Sequence, residues 1–503
     1  MSAPHAQTTP GSRVPGTRDL VGIGFGPANL ALAIAIEEHN AQRTSGEAVH
    51  ATFVERQEGF GWHRGMLLEG ATMQVSFLKD LVTMRNPGSP YSFVHYLQDR
   101  GRLADFVNHK TFFPTRIEFH DYFRWCAAAF RDQVRYGAEV ASITAAGPTA
   151  GLDTADPADL ADLADPADLA DLADSPGTVD ELAVTTRGAD GAATLRARNV
   201  VIGTGLEPSL PAGIETGERI WHNRDLLHRA PGLTDRPHRR FLVVGAGQSA
   251  AETADYLHRT FPDAEVCAVF RRYGYSPADD SPFANRIFDP AAVDAFYDAP
   301  QEVKHQLLGY HANTNYSVVD GDLIEQLYRT AYQEKVSGTE RLRIMGASEF
   351  TAVTPIGNGV RATVRSLTGG ETLALDCDAV VLATGYRPTD PLELLGELAG
   401  ECRTDGQGRL RVGRDHRVET TGRLRAGIYL QGAATEHTHG ITSSLLSTLA
   451  VRSGEIRDAL LLRGTERELR RVPAGAGVGA GVGAGAGAAA GPGTAPAVPA
   501  SRG

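Results

Sequence analysis

The chain has 503 residues, of which 42% are hydrophobic and 22% charged, enough length and apolar content for two or three well-cored globular domains. Lys and Arg number 49 against 61 Asp and Glu, a balance that does not fit a nucleic-acid binder. No apolar run approaches the roughly 20 residues of a spanning helix, and Met1 to Arg18 lacks the apolar core of a signal peptide, so a cytoplasmic protein without a membrane partner is expected.

Residues 1–17 are polar and rich in Pro and Gly, and are expected to be disordered. Asp19 to Ala35 then reads DLVGIGFGPANLALAIA: an apolar strand, a glycine-rich turn and the start of a helix. Gly22, Gly24 and Gly26, followed by Pro27, stand where a backbone bends tightly and approaches a pyrophosphate at a helix N-terminus. The next strand, His50 to Glu55, completes a βαβ unit. Glu55 at its end is placed to bond the ribose hydroxyls of an adenine nucleotide, or else is a solvated strand-end acid.

Between Gly151 and Asp174 the nine-residue unit DPADLADLA occurs twice in tandem, at Asp156–Ala164 and Asp165–Ala173. Its aspartates repel one another and its leucines are few, so it reads as an expanded surface loop over 151–176 with no catalytic duty. The run Asn199 to Gly205 returns to a strand and a glycine turn.

A second unit begins at Arg240 with RFLVVGAGQSAAETADYL, where Gly245 and Gly247 repeat the glycine roles. Its following strand, Glu265 to Phe270, leads into Arg271 and Arg272. A basic residue here, where the first unit has Glu55, favours a 2′-phosphate over free ribose hydroxyls. The difference in sign assigns FAD to the first loop and NADPH to the second. Residues 273–336 carry helical stretches and read as a small separate segment. Strands resume at Ala379–Leu382 and Gly427–Leu430, and beyond 472 the chain becomes a Gly/Ala-rich tail that is expected to be flexible. Cys126, Cys267, Cys377 and Cys402 are scattered without a CxxC pair, which suits reduced structural thiols.

Five further segments carry a resemblance: MQVSFLKDL (Met73–Leu81), DDSPFANRIF (Asp279–Phe288), NTNYSVVD (Asn313–Asp320), LATGY (Leu382–Tyr386) and EHTHGITSSLLS (Glu436–Ser447). With the two loops, and in this order, they make the chain similar to the microbial N-hydroxylating flavin monooxygenases, above all those acting on L-ornithine N5 in siderophore biosynthesis. LATGY is shared by many flavoproteins with two dinucleotides; DDSPFANRIF and NTNYSVVD are far more specific. The resemblance spans about Asp19 to Gly454 and leaves the acidic repeat and the tail without a counterpart.

The resemblance implies an α/β fold of two Rossmann-like dinucleotide-binding domains, for FAD and NADPH, with a small and mostly helical substrate-binding segment. The implied boundaries are 18–238 for the first part of the FAD domain, 239–378 for the NADPH domain with the substrate segment at about 273–336, and 379–472 for the returning FAD part. It places FAD along Glu55 to His63, including Trp62 and His63, at Gln74 beside the flavin, at Val140, and at Gly440, Ile441 and Thr442. NADPH falls on Ala246 to Ser249, with Gln248 and Ser249, on Arg271, and on Asn315, Tyr316 and Ser317. The substrate falls on Lys79, Asn285, Asn315 and Ser443, and Gln74, Lys79 and Asn315 are the residues closest to the chemistry. The resemblance also implies a homo-oligomer, a tetramer in many members.

The chemistry fits these residue types. Hydroxylating an amine needs an uncharged nitrogen and an electrophilic oxygen, which in this family comes from O₂ through a flavin C4a-hydroperoxide. Lys79 can hold the α-carboxylate of an amino acid as a point charge, while Asn285 and Asn315 can bond both ends of a zwitterion. Ser443 can cap a helix start and bind at once. His437 and His439 lack partners at metal-ligand spacing and are expected to shape the flavin pocket. L-Lysine differs from ornithine by one methylene, worth only roughly 1 to 3 kcal/mol in a pocket, so lysine N6-hydroxylation stays open as an alternative. A diamine would leave Lys79 without a carboxylate. A disulfide reductase would need the absent CxxC, and a flavin-binding scaffold would not need the second loop.

Overall fold

The computed structural model describes residues 16–43, 48–147, 178–189, 191–233 and 237–471. Residues 1–15, the acidic repeat and the tail lie outside the described residues. Residues up to Leu460 form one compact unit, built around two five-stranded parallel sheets of the same design. In the first, the strand order is Gly427–Leu430, Asn199–Ile202, Leu20–Ile23, Ala51–Glu55, Val134–Tyr136. In the second it is Ile220–His222, Ala379–Leu382, Arg240–Val244, Glu265–Val269, Leu342–Met345. Both central strands are covered on their two faces, which is why they read as unbroken apolar runs.

In each sheet the glycine-turn strand is central, so its turn opens at the carboxyl edge between two neighbours. The following helix, Pro27–Ala41 in the first unit and Gln248–Thr260 in the second, starts at a glycine with no side-chain cap. Leu30 and Ile34 of the first helix are fully buried on one side and Leu32 on the other, because this helix lies inside the molecule. The second is amphipathic and buries Ala250, Ala251, Ala254 and Leu257 against Phe241 and Val243.

Three features depart from the sequence reading. The strands Ile220–His222 and Ala379–Leu382 both belong to the second sheet, so boundaries at 238/239 and 378/379 do not follow the sheets. The chain leaves the first sheet before residue 220 and returns to it only at Gly427. The segment 273–336 is helical (Pro290–Asp298, Gln301–Tyr310, Gly321–Ser337) but not separate, since Leu327 is buried in the second-sheet core with Leu323 and Ile324 beside it. Thr17–Arg18, at the end of the stretch expected to be disordered, pairs with Arg196 and Ala197.

Two three-stranded antiparallel arrangements, Ala138–Ala145, Leu182–Gly188 and Gly191–Ala197 with Thr17–Arg18 added parallel at the edge, and Ser348–Ile356, Gly359–Ser366 and Thr372–Cys377, complete the unit together with a two-stranded ribbon. Among the described residues no helix is long and apolar enough to cross a membrane.

The glycines of the two turns are not interchangeable. Gly245 has φ +142°, and a Cβ there would lie 2.2 Å from the Ala383 carbonyl oxygen; at Gly26 an added Cβ would meet nothing within 4 Å. Gly245→Ala is therefore expected to destabilise the protein by about 2 kcal/mol or more, and Gly26→Ala by less than about 0.5 kcal/mol, as read by urea unfolding.

Candidate active site

The two sheets are joined at their carboxyl ends by a two-stranded ribbon, in which Leu206–Pro208 pairs antiparallel with Tyr386–Pro388. Each strand follows the neighbour of a glycine turn, so the ribbon ties one turn region to the other. Thr384 Oγ1 donates to the Ser209 carbonyl at 2.6 Å, and Ser209 N–H to the Gly385 carbonyl at 3.0 Å. A second tie is an ion pair: Arg116 of the helix Arg116–Ala128 forks onto Glu252 of the second glycine helix, at 2.9 and 2.7 Å, and also donates to the Met66 carbonyl. Gln248 extends it, donating to Glu252 at 2.9 Å and accepting from Asp320 N–H at 2.8 Å.

Beside these ties opens a cleft of ≈ 2310 Å³. Pockets for one small ligand run to roughly 300–1,000 Å³, so this one has room for more than one. It is lined by Trp62, His63, Gln74 and Lys79 from one side, by Gly245, Gly247, Gln248 and Ser249 of the second turn, and by Asn285, Asn315, Tyr316 and Ser317. The structure thus gathers, in one wall, most of the residues the sequence assigned to flavin edge, nicotinamide nucleotide and substrate.

Local bonding explains the convergence. The loop carrying Gln74 and Lys79 is braced on the chain before Arg116: Met73 N–H donates to the Pro114 carbonyl at 2.8 Å and Phe77 N–H to that of Phe112 at 2.9 Å. Immediately after Lys79, the buried Asp80 carboxylate accepts from the N–H groups of Val82, Thr83 and Phe93. Desolvation raises the Asp80 pKa against these bonds. The two asparagines are brought together by backbone pairing of 276–279 with 313–319, through Val319 N–H to Ser276 O and Asp279 N–H to Asn313 O. Asn285 is then held by Nδ2 donating to the Asp280 carbonyl at 2.7 Å.

Lys79 is half-buried, and its Nζ sits 5.5 Å from the Phe288 ring centre. Among the described residues no carboxylate lies within ion-pair distance of it. Desolvation pulls its pKa below the ordinary lysine value, opposed by the charge of Asp289. It is a cation held ready for an anion. His63 has φ +48° and a ring open to the cleft; desolvation, with Arg116 and His120 nearby, holds it below the usual histidine range, so it stays neutral at pH 7. Ser317, facing Gly247, also has positive φ, at +56°.

The first turn stands outside this wall. Gly24 has φ +81° and packs so closely on the Gly203 carbonyl that a Cβ would lie 2.5 Å from it, while a Cβ on Gly22 would strike the Phe53 ring at 2.2 Å. Gly26 and Pro27 open the helix with nothing in front of Gly26, the cradle a pyrophosphate needs. Both Glu55 oxygens accept backbone N–H groups, from Phe25 at 2.7 Å and Gln57 at 2.9 Å, so it braces the turn. Val140 lies at a bulge of its strand. Ile441 and Thr442 are buried, and Gly440, at φ +81°, leaves room for the Phe296 ring. Arg271 is exposed and bonded to Glu349, outside the cleft.

Ser443 departs from expectation. It is 1% exposed, its hydroxyl has no hydrogen-bond partner, and it lines a separate small cavity with His416, His439, Arg452 and Glu455. Arg452 donates to its backbone carbonyl at 2.8 Å, and the neighbouring Ser444, not Ser443, lines the cleft. His437 bonds the Leu410 carbonyl, and His439 stacks on His416 at 4.0 Å with its pKa pushed down to about 2 by burial.

The sequence reading missed Arg116 and Glu252, whose roles exist only through each other across 136 positions, and Asp80, whose carboxylate binds the backbone just after it and at Phe93. It also missed Glu436, which lines the cleft, accepts a bond from Tyr316 and has its pKa raised by burial. Glu436 was within a quoted motif but carries no local signal of its position.

Two nucleotide-type turns on matched parallel sheets, joined at their carboxyl ends by the ribbon, define the two-dinucleotide oxidoreductase class. The chain belongs to the L-lysine 6-monooxygenase/L-ornithine 5-monooxygenase family, whose model matches residues 16–154 and 169–388. It is 41% identical to an L-ornithine N(5)-monooxygenase of Burkholderia cepacia, covering 87% of this chain and 94% of the relative. The ornithine N-hydroxylase of Kutzneria sp. 744, solved in its FADred–NADP+–L-orn form, superposes with a TM-score of 0.80 at 45% identity, covering 89% of this chain and 100% of that one. An L-lysine 6-monooxygenase of Pseudomonas syringae gives 0.74 at 30%, over 89% and 99%.

The Arg116–Glu252 pair is nearly buried, with exposures of 13% and 6%. Glu252→Gln strands the guanidinium, and is expected to lower unfolding free energy by about 3 kcal/mol. The double change Arg116→Met with Glu252→Met should cost less than the sum of the single changes in the same denaturation assay.

Proposed function

We propose that this protein is an FAD- and NADPH-dependent monooxygenase that converts the side-chain amine of L-ornithine to N5-hydroxy-L-ornithine, for a hydroxamate siderophore or a related natural product. The observation that carries this reading is Lys79: a half-buried cation without a carboxylate partner among the described residues, in one cleft wall with Gln74, Asn285 and Asn315. Membership of the family and the similarity to ornithine enzymes support it.

The residues present fit both cofactors. FAD would be held by Gly22, Gly24, Gly26, Pro27 and Glu55 at its nucleotide end, and by Trp62, His63, Gln74, Val140, Gly440, Ile441 and Thr442 along its length. NADPH would be held by Gly245, Gly247, Gln248, Ser249, Asn315, Tyr316 and Ser317, with Arg271 for the 2′-phosphate. When bound, the flavin supplies the two-electron chemistry and the activated oxygen that no side chain can supply.

The chain's own residues do the positioning. Lys79 anchors the α-carboxylate, and Asn285 and Asn315 offer amide groups to the α-amino end, so the substrate is held by its head and its length decides how far the amine reaches. A neutral His63 adds no positive charge against an amine that must be uncharged to react. Tyr316, hydrogen-bonded to Glu436, fixes part of the cleft lining beside these groups. The reading includes O₂ as co-substrate and a homo-oligomer, both from the family resemblance, and a cytoplasmic setting, from the scattered cysteines and the N-terminus without a signal-peptide core. L-Lysine is the second candidate; a diamine is disfavoured because it offers Lys79 no anion.

NADPH oxidation and hydroxylamine formation, measured side by side with ornithine, lysine and putrescine, test this directly. Ornithine should give the most hydroxylated product; more from lysine would reassign the substrate, and none from any amine would refute the reading. Lys79→Met should raise the ornithine KM by about tenfold or more, as expected for a lost charge-assisted bond. Because the lowered Lys79 pKa means its charge is present below that pKa and lost above it, KM for ornithine should rise as pH climbs toward 10, and Lys79→Met should abolish that limb.

A further inference from the structure

The second parallel sheet does not end where its strands do. After Glu265–Val269, the residues Phe270 to Tyr273 run on along the start of the antiparallel sheet Ser348–Ile356, Gly359–Ser366, Thr372–Cys377. Ser348 N–H donates to the Phe270 carbonyl at 3.0 Å and Ala347 N–H to that of Arg272 at 2.7 Å. Gly346 makes the approach possible, since a Cβ there would lie 2.0 Å from the Tyr273 carbonyl oxygen. Arg271 is therefore fixed against this sheet by its neighbours' backbone.

Within the antiparallel sheet Glu349 and Arg365 are directly paired, and the next pair, Phe350 and Val364, points into the core. Alternation puts Glu349 and Arg365 on the opposite face, beside Arg271. Glu349 then receives both guanidiniums: Arg271 Nη2 at 2.5 Å on one oxygen and Arg365 Nη2 at 2.5 Å on the other. Two cations share one anion, leaving the group one positive charge in excess. Each guanidinium has five N–H donors and spends one on Glu349. Both arginines stay exposed, at 76% and 53%, whereas Glu349 is 19% exposed beneath them. The carboxylate acts as the floor of the cluster, and the free donors face solvent.

We infer that Arg365, aligned with Arg271 by the shared Glu349 carboxylate, is a second ligand for the 2′-phosphate of NADPH and hence a determinant of its selection over NADH. This rests on the assignment of the second turn to NADPH. A phosphate monoester carries close to two negative charges at neutral pH, and two forked guanidiniums match it better than one. Arg365 lies 94 residues beyond Arg271, on a sheet outside the βαβ unit, so no pattern in the nucleotide motif points to it.

The test uses the full-length, FAD-loaded protein, with 2′,5′-ADP and 5′-AMP as probes in calorimetric titrations, and kcat/KM for NADPH and NADH in parallel. Arg365→Ala and Arg271→Ala are each expected to weaken 2′,5′-ADP by roughly tenfold or more, to change 5′-AMP by no more than about twofold, and to lower the NADPH-to-NADH ratio of kcat/KM through KM. Arg365→Lys should recover part of the loss, and Arg365→Gln serves if the alanine variant folds poorly. Loss of 2′,5′-ADP affinity with Arg271→Ala alone overturns the role of Arg365 and leaves the NADPH assignment standing. Unchanged 2′,5′-ADP affinity in both variants overturns the Arg271 assignment as well.

Discussion

The fold depends on a close approach made twice: a left-handed glycine set against a carbonyl of the neighbouring strand's end. Gly24 meets the Gly203 carbonyl and Gly245 meets that of Ala383, each at a distance no Cβ could tolerate. This contact lets the central strand turn sharply and point an uncapped helix N-terminus at the carboxyl edge of its sheet. The neighbouring carbonyls belong to the related runs IGTG and LATG, so each glycine turn and its partner strand form one device. Everything that follows in the site is laid out from these two edges.

Two such edges make a site only if they are held facing each other. The ribbon Leu206–Pro208 with Tyr386–Pro388 grows from the two partner strands, which makes the junction a continuation of the nucleotide devices. The Arg116–Glu252 fork adds a nearly buried charge pair whose geometry is specific, and it reaches from the aromatic-rich core around Phe119, Tyr122 and Phe123 to the second glycine helix. The cleft opens beside ribbon and fork, and among the described residues no carboxylate lies within ion-pair distance of Lys79 in it. The substrate is the missing partner in the proposed function.

Much of this was legible in the sequence, for identifiable reasons. Strands buried on both faces read as continuous apolar runs, so Asn199–Ile202, Ala379–Leu382 and Gly427–Leu430 were found close to their true limits. The antiparallel sheets were passed over although Val360, Ala362 and Val364 alternate with polar residues, since short alternating strands stand out less than glycine punctuation. The implied boundaries put Ile220–His222 and Ala379–Leu382 with the FAD part although both strands lie in the second sheet, because a parallel strand's neighbours are set by crossovers far along the chain. Ser443 differs for a smaller reason: in a tight turn adjacent side chains point in different directions, so Ser444 lines the cleft and Ser443 the small buried cavity.

The sequence by itself determined the two nucleotide turns, the opposed charges of Glu55 and Arg271 after them, and the motifs that mark the family. These are properties of a few consecutive residues, fixed by backbone sterics and side-chain chemistry. Only the tertiary structure decided which residues share the cleft, that Glu252 is joined to Arg116, and that Arg365 stands beside Arg271. Those relations are made by packing and pairing between segments far apart in the chain, where the distance along the sequence carries no information about the distance in space.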